Sequence, residues 1–497
     1  MLQHVQPIVV ANRAPLSLQP ADPYRGTVER LVRGAGGLVT AMSSLAIATD
    51  AVWVAAARND GDRELAARAK RGEPALLVTD DNTAYKVAFV EPTQTAYDMY
   101  YSQISNPLLW FIHHYLWDLA REPVLDSATD HAWREGYQHV NRLFAERIAE
   151  EAARSEKPPL VLIQDYQLYC LPAMVRELVP RVRLQHFVHV PWPNPEYWKI
   201  LPKRMRDDVM QGILGNDLIG FQTSADVRNF LLTCDGNLGL AVDYRERTVF
   251  YEGRSVWVRS YPISIDVAEF EAKMQSPEVL AEEQAIGAWR PKHLILRVDR
   301  TDLSKNIQRG FLAYERLLEQ HHQLHGEVQF WAYLQESRQD IDDYRAYLGG
   351  IVQMAARINR RFARRGWMPI RLEVDDNMNR AIAGYKSFDV LLVNPIYDGM
   401  NLVAKEGPLC NTRDGVLVLS ENAGCHEELG DVALTINPFD VDQTAEALYL
   451  GLMMEPAERR ARCERTREIV RSRDITRWIT DQLRDIRELL GDAGSLG

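Results

Sequence analysis

VLLVNPIYDGMNLVAKEGPL, residues 390–409, sets an unbroken apolar run ahead of a turn and a helical stretch. Residues 390–393 do not alternate in polarity, which suits a strand buried on both faces of a parallel sheet. Pro395 and Gly399 break the chain, and a helix is expected from near Asn401. A strand, a break and a helix form the unit of a doubly wound α/β layer. The same succession runs through the whole sequence. Strand-like runs are read at 8–10, 52–55, 160–163, 185–190 and 218–221, and again at 294–298, 328–333, 370–374, 416–419 and 433–436. Helical patterns lie between them, as at 141–153 and 309–319. A polar, acidic stretch after YPISID (261–266) separates two such series. The expected organisation is an α/β domain over 1–266, a second over 267–473, and a C-terminal helix, 474–497, packing back on the first.

Composition narrows the class. The 497 residues carry 58 Lys+Arg against 69 Asp+Glu, a net charge of −11, which argues against binding nucleic acid by general electrostatics. No apolar stretch reaches the ~18 residues of a membrane span; the richest, 38–57, is broken by Asp50. The start, MLQHVQPIVV, lacks the layout of a signal peptide. Five cysteines, Cys170, Cys234, Cys410, Cys425 and Cys463, are too few and too far apart for a disulfide framework or a paired metal motif. A cytoplasmic protein with reduced thiols is expected, without nucleic-acid or membrane partners.

Ligands of doubly wound sheets bind beyond the carboxyl ends of the strands, so residues that follow each run are the candidates. ANRAP (11–15) offers Arg13. RGAGGLVTAM (33–42) offers Gly34, Gly36 and Gly37, which let a backbone approach a phosphate or simply make a tight turn. YYSQISNPLLWFIHHY (100–115) gathers Tyr100, Tyr101, Trp110, His113, His114 and Tyr115, either as a sugar platform or as a core stripe. IQDYQL (163–168) places Asp165 after one strand, and HFVHVPWPNP (186–195) places His189 after the next. VDRTDLSKN (298–306) sets Arg300 and Lys305 at a strand-to-helix junction, an arrangement suited to a diphosphate. LQESRQD (334–340) adds Arg338. In the opening stretch, backbone N–H groups of Met400, Asn401, Leu402 and Val403 would face a phosphate. Asp398 and Glu406 are eight apart and read as bracketing an elongated ligand, one at each end. No His/Cys cluster has metal-ligand spacing, so neither metal nor cofactor is expected.

Together these segments resemble the trehalose-6-phosphate synthases, retaining glycosyltransferases of the GT-B fold: two facing Rossmann-like domains with the active site in the cleft between them. The resemblance runs from ANRAP to the last helix, in family order. It implies that Arg300 and Lys305 hold the donor diphosphate and that Gly36 and Gly37 lie on the donor side. Within the intact DGMNLVAKE segment, Asp398, Met400, Asn401, Leu402, Val403 and Glu406 carry over, with Asp398 on the transferred glucose and Glu406 on the ribose. It implies acceptor contacts from Arg13, Tyr101, Trp110, Asp165 and Arg338, and catalytic roles for Asp165, His189, Arg300 and Lys305. Three segments depart from the family. VWVAAARNDGD (52–62) has Ala56 where the family often has a second Trp. HDYHL reads QDYQL, with Gln164 and Gln167. LEVDDNMNR (372–380) lacks a donor-side His and leaves the nucleobase open among UDP, GDP and ADP. The first and last of these look more like an actinobacterial branch in which GDP-glucose use is known.

The resemblance implies transfer of glucose from GDP- or UDP-glucose to glucose 6-phosphate, giving α,α-trehalose 6-phosphate, in a chain that could be a homo-oligomer. Ala56 keeps open another phosphorylated acceptor, glycerol 3-phosphate or a cyclitol phosphate. A dinucleotide-dependent oxidoreductase would require GxGxxG after the first strand, which is missing. A silent sugar-phosphate sensor would have an eroded donor segment, whereas Arg300, Lys305, Asp398 and Glu406 are all present.

Overall fold

The apolar runs become parallel strands because each sheds water on both faces at once. The computed structural model describes residues 4–19, 30–33, 42–43, 46, 50–69, 74–78 and 83–492. In chain order the first strands are β1 (Gln6–Val10), β2 (Leu16–Gln19), β3 (Arg30–Arg33), β4 (Val52–Ala56), β5 (Ala75–Val78) and β6 (Ala84–Val90). Next come β7 (Pro159–Gln164), β8 (Arg183–Phe187), β9 (Leu218–Phe221), β10 (Val242–Asp243), β11 (Thr248–Tyr251) and β12 (Arg254–Ser260). Ten of these form one sheet in the order β10-β11-β12-β9-β8-β7-β1-β4-β6-β5, while β2 and β3 pair separately. The run from β12 to β6 is parallel. The antiparallel edges β5 and β10–β11 are additions that the apolar pattern does not announce, since their outward residues are polar or exposed.

The second sheet is parallel throughout. Its strands are β13 (His293–Arg300), β14 (Val328–Gln335), β15 (Ile370–Val374), β16 (Val390–Val393), β17 (Val416–Ser420) and β18 (Leu434–Ile436), in the order β15-β14-β13-β16-β17-β18. The helix Ile307–Gln320 lays Phe311, Tyr314 and Leu317 into the core, with Phe311 edge-on to Phe330 of β14 at 5.4 Å. Helix ends are locally encoded. Thr223 and Asp226 form a reciprocal capping box that opens Ser224–Leu238, and Gly239, at φ 65°, closes it in the left-handed conformation.

Each sheet has one point where the strand order reverses. In the first sheet the chain leaves β1 toward β4 and returns to β7 on the other side; in the second it leaves β13 toward β14 and returns to β16. Crevices at such reversals are where doubly wound sheets take ligands.

The chain divides into two units, Met1–Tyr261 with Ile479–Gly497, and Pro262–Trp478. Residues 262–266 go with the second unit because Ile265 is buried beside Leu409 and Val470, and the Ile263 carbonyl accepts from Lys405 Nζ at 2.9 Å. The final helix, Ile475–Asp492, serves the first unit through polar groups on its buried face. Gln482 Oε1 accepts from Gln185 Nε2 at 2.7 Å, and Asp485 Oδ2 accepts from Tyr261 at 2.7 Å.

Candidate active site

In the first unit the strand ends at the reversal carry the polar groups. Asn12 and Arg13 follow β1, where Trp53 Nε1 donates to the Arg13 carbonyl at 3.0 Å and fixes the loop. Arg13 Nη2 lies 3.5 Å from the Tyr101 hydroxyl. Tyr101 stacks on Tyr97 with ring centroids 5.7 Å apart and planes at 10°. The Tyr97 hydroxyl accepts from Asn12 Nδ2 at 3.2 Å and from Arg58 Nε at 3.3 Å. Arg13 and Tyr101, chosen from the sequence, therefore meet, and Asn12, Arg58 and Tyr97 join them. The sequence signal for Arg58 is its place just after a strand run; nothing in its spacing points to Tyr97.

The aromatic stretch after Tyr100 is divided. Tyr100 and His113 are core. His113 Nδ1 sits 2.7 Å from the Pro191 carbonyl and Nε2 3.0 Å from the Tyr169 hydroxyl, and burial pushes its pKa down to about 3 despite that carbonyl. Trp110 is largely buried, stacked on His114 at 4.0 Å and tilted against Tyr166 at 5.7 Å.

Asp165 follows β7 at φ 74°, ψ 173°, a conformation that costs an L-residue ~1–3 kcal/mol and persists only when its surroundings impose it. The constraints are visible. Its N–H donates to the Phe187 carbonyl at 2.8 Å, its carbonyl lies 2.9 Å from His186 Nε2, and its Oδ1 accepts the His189 N–H at 3.2 Å. Asp165 and His189 are thus joined directly. His189 Nε2 lies 3.0 Å from Gln164 Oε1, so the amide oxygen assigns the ring proton to Nε2. Burial, with His186 nearby, holds the His189 pKa down at about 3. The ring is neutral at ordinary pH and offers a dipole rather than a cation.

In the second unit Arg300 ends β13, and Leu303–Lys305 forms a short turn before the helix Ile307–Gln320. Lys305 Nζ is ion-paired with Asp398 Oδ2, which also accepts from Asn401 Nδ2 at 3.0 Å. β13 and β16 flank the strand-order reversal, so the two ends of this cluster come from either side of it. Asn401 has φ 69°, and its Oδ1 is buried without a hydrogen-bond partner among the described residues. The helix expected from near Asn401 begins two residues later, as Val403–Cys410, because the left-handed Asn401 cannot continue it. The N–H groups of Leu402 and Val403 meet no acceptor among the described residues. The loop is fastened to residues 422–425 by Gly424 N–H on the Asp398 carbonyl, 3.0 Å, and Cys425 N–H on that of Met400, 3.0 Å.

Beneath this cluster lies Arg297, whose side chain is wholly buried. Nε donates to Asp299 Oδ2 at 2.8 Å, and Nη2 to the Lys305 carbonyl at 2.8 Å and to Asn394 Oδ1. Gly310 makes room for it: a Cβ there would lie 2.5 Å from Arg297 Nη1. Arg297 was not a candidate from sequence, since a lone Arg inside an apolar run gives no sign of its partners. Arg338 is ion-paired with Asp302 at 2.9 Å and bonded to the Tyr344 hydroxyl. Gly36 and Gly37 lie outside the described residues. Among those described, no group of three or more His, Cys, Asp or Glu side chains is placed to hold a metal. No described helix is long and apolar enough to cross a membrane.

Glu406, in the first turn of Val403–Cys410, accepts from the Tyr385 hydroxyl at 3.1 Å. Burial raises its pKa to about 7, the Tyr385 bond opposing. The folded chain then keeps a proton that the unfolded chain releases near its ordinary value of 4.5. Stability therefore falls as pH rises from about 4.5 to about 7, because the native state binds the extra proton there. Glu406→Gln removes this loss: urea midpoints of the two proteins should diverge between pH 5 and pH 8, the variant gaining. Parallel midpoints would show that Glu406 titrates normally.

The model of glycosyltransferase family 20 matches residues 5–488. The chain belongs to glycosyltransferase family 20. A UDP-forming α,α-trehalose-phosphate synthase of Pichia angusta is 30% identical over 482 residues, covering 95% of this chain and 96% of that protein. A probable UDP-forming synthase of Arabidopsis thaliana is 31% identical over 98% of this chain, which spans only 57% of the plant protein. An E. coli structure with UDP-2-fluoro glucose bound superposes with TM-score 0.81 at 29% identity, covering 97% of this chain and 98% of that one. A Burkholderia xenovorans α,α-trehalose-phosphate synthase in complex with glucose 6-phosphate gives 0.79 at 28% identity, covering 97% and 100%. The family 20 chain thus has the GT-B class of fold, two units each built on a doubly wound parallel sheet.

Proposed function

We propose that this family 20 chain transfers glucose from a nucleoside diphosphate glucose, UDP- or GDP-linked, to glucose 6-phosphate with retention, forming α,α-trehalose 6-phosphate. The observation that carries the reading is the Lys305–Asp398–Asn401 cluster at the reversal of the second sheet, with Lys305 in the turn that follows Arg300 and Asn401 Oδ1 buried without a hydrogen-bond partner among the described residues. Arg300, Lys305 and the N–H groups of Leu402 and Val403 suit the donor diphosphate, Asp398 a glucose hydroxyl and Glu406 the ribose. Met400, Gly36 and Gly37 complete the donor side. Arg13, Tyr101, Trp110 and Arg338 suit the acceptor, Asp165 orients a sugar hydroxyl, and neutral His189 faces the sugar ring.

In this reading the bond from glucose C1 to the diphosphate oxygen breaks as the acceptor hydroxyl oxygen bonds to C1 on the same face. The departing diphosphate takes the hydroxyl proton, and Arg300 and Lys305 stabilise the charge it gains. No protein nucleophile is needed, so no paired carboxylates at glycosidase spacing are required. The likeness of VWVAAARNDGD and LEVDDNMNR to an actinobacterial branch supports GDP-glucose as the donor. The test is a matrix of UDP-, GDP- and ADP-glucose against glucose 6-phosphate and glycerol 3-phosphate, reading nucleotide release. Release with glucose 6-phosphate and one or more donors is expected. Release only with glycerol 3-phosphate would move the acceptor, and none in any pairing would overturn the reading.

A further inference from the structure

We propose that Arg58 is a second guanidinium for the acceptor's phosphate, so that this chain recognises a phosphomonoester dianion with Arg13 and Arg58 together. The inference rests on the function proposed above and adds to it a residue that sets acceptor specificity. Arg58 stands directly after β4, beyond Ala56 and Ala57, whose small side chains are buried and offer no ring or polar group of their own. Its backbone is fixed: the Arg58 N–H donates to Asp62 Oδ2 at 3.1 Å, and Asn59 caps the helix Asp60–Arg68 that follows. Its side chain reaches the stacked tyrosines, with Nε 3.3 Å from the Tyr97 hydroxyl and Cζ 6.0 Å from the Tyr101 ring centre. Arg13 reaches the same pair from β1, at the Tyr101 hydroxyl.

Two guanidiniums thus converge on one pair of stacked rings, Arg13 at the Tyr101 hydroxyl and Arg58 at the Tyr97 hydroxyl, and present two cations to one anion. Among the described residues neither forms an ion pair with a carboxylate, whereas Arg176, Arg290 and Arg380 each hold one. Of the two acids that follow Arg58 in sequence, Asp60 is ion-paired with Arg63 at 3.0 Å, and Asp62 is used by the Ser17 hydroxyl at 2.8 Å and by the Arg58 N–H. A phosphomonoester carries a charge of about −1.5 to −2 at neutral pH, and bidentate guanidinium contacts match its oxygens. The pair therefore fits a terminal phosphate better than an uncharged sugar or a single carboxylate.

The experiment is steady-state kinetics of Arg58→Ala and Arg58→Lys with glucose 6-phosphate as the varied acceptor. Loss of one charge-assisted contact should raise the acceptor KM of Arg58→Ala about 10- to 100-fold. kcat and the donor KM should stay near their starting values, and Arg58→Lys should recover part of the loss. Competitive inhibition by inorganic phosphate should weaken in parallel. The preference for glucose 6-phosphate over free glucose should shrink, which a merely structural role would not produce. An unchanged acceptor KM, or an equal rise in both substrates' KM values, overturns the proposal. Calorimetric binding of glucose 6-phosphate to the full chain separates this from the proposed function. Weaker binding by Arg58→Ala supports the anion site even if no pairing turns over, and equal binding rejects it.

Discussion

Replacing Lys305 with alanine lowers the rate of nucleotide release at saturating donor and acceptor by about 10²–10³-fold, the cost of losing one preorganised group that stabilises developing charge. The fold should survive. Lys305 sits in the turn beyond β13 rather than in the core, and Asp398 keeps Asn401 Nδ2 at 3.0 Å when the lysine is gone. Removal falls hardest on kcat, because the charge on the diphosphate oxygen peaks as the glycosidic bond breaks. Steady-state kinetics of Lys305→Ala beside its circular dichroism spectrum check this. Near-normal turnover in a folded variant would remove Lys305 from the leaving group.

Arg297→Leu should be the most destabilising single change in the second unit, by about 3–5 kcal/mol, since it leaves the partner of a buried ion pair uncompensated. Three groups lose their donor at once: Asp299, the Lys305 carbonyl and Asn394 Oδ1. Burial already pushes the Asp299 pKa up against the pull of Arg297. Without the guanidinium the carboxylate is expected to take a proton, so the loss should be smaller at pH 5 than at pH 8. Arg297→Lys should rescue little, because one ammonium cannot reproduce the planar fork. Urea unfolding of both variants at the two pH values tests this. A loss below about 1 kcal/mol for Arg297→Leu would mean the network carries no net stability.

The doubly wound layers were legible because strands such as β7, β16 and β17 are buried on both faces and cannot alternate. The strand-end rule then singled out Arg13, Asp165, His189, Arg300, Lys305 and Asp398. What it could not supply is which strand ends are neighbours. That depends on the β1–β7 and β13–β16 pairings, which join residues far apart in sequence. Arg297, and the contact of Gln164 with His189, escaped for that reason: each matters through a partner that the strand-end rule does not supply. The positive φ of Asp165 and the orphaned Asn401 oxygen were equally hidden, because both arise from tertiary constraint on residues of ordinary propensity.

The helix that completes the first unit, Ile475–Asp492, is made long after the strands it serves. Gln185 on β8 takes its partner from Gln482, 297 positions later. At a ribosomal pace of about 5–20 residues per second, that interval lasts on the order of tens of seconds. Throughout it the first sheet is translated and its strands can pair, yet the Gln185 amide and the Tyr261 hydroxyl have no intramolecular partner from the closing helix. The order of synthesis and the order of completion are therefore opposite. The second unit can finish while the first still waits, and a nascent chain halted short of Gln482 exposes the surface where that helix belongs.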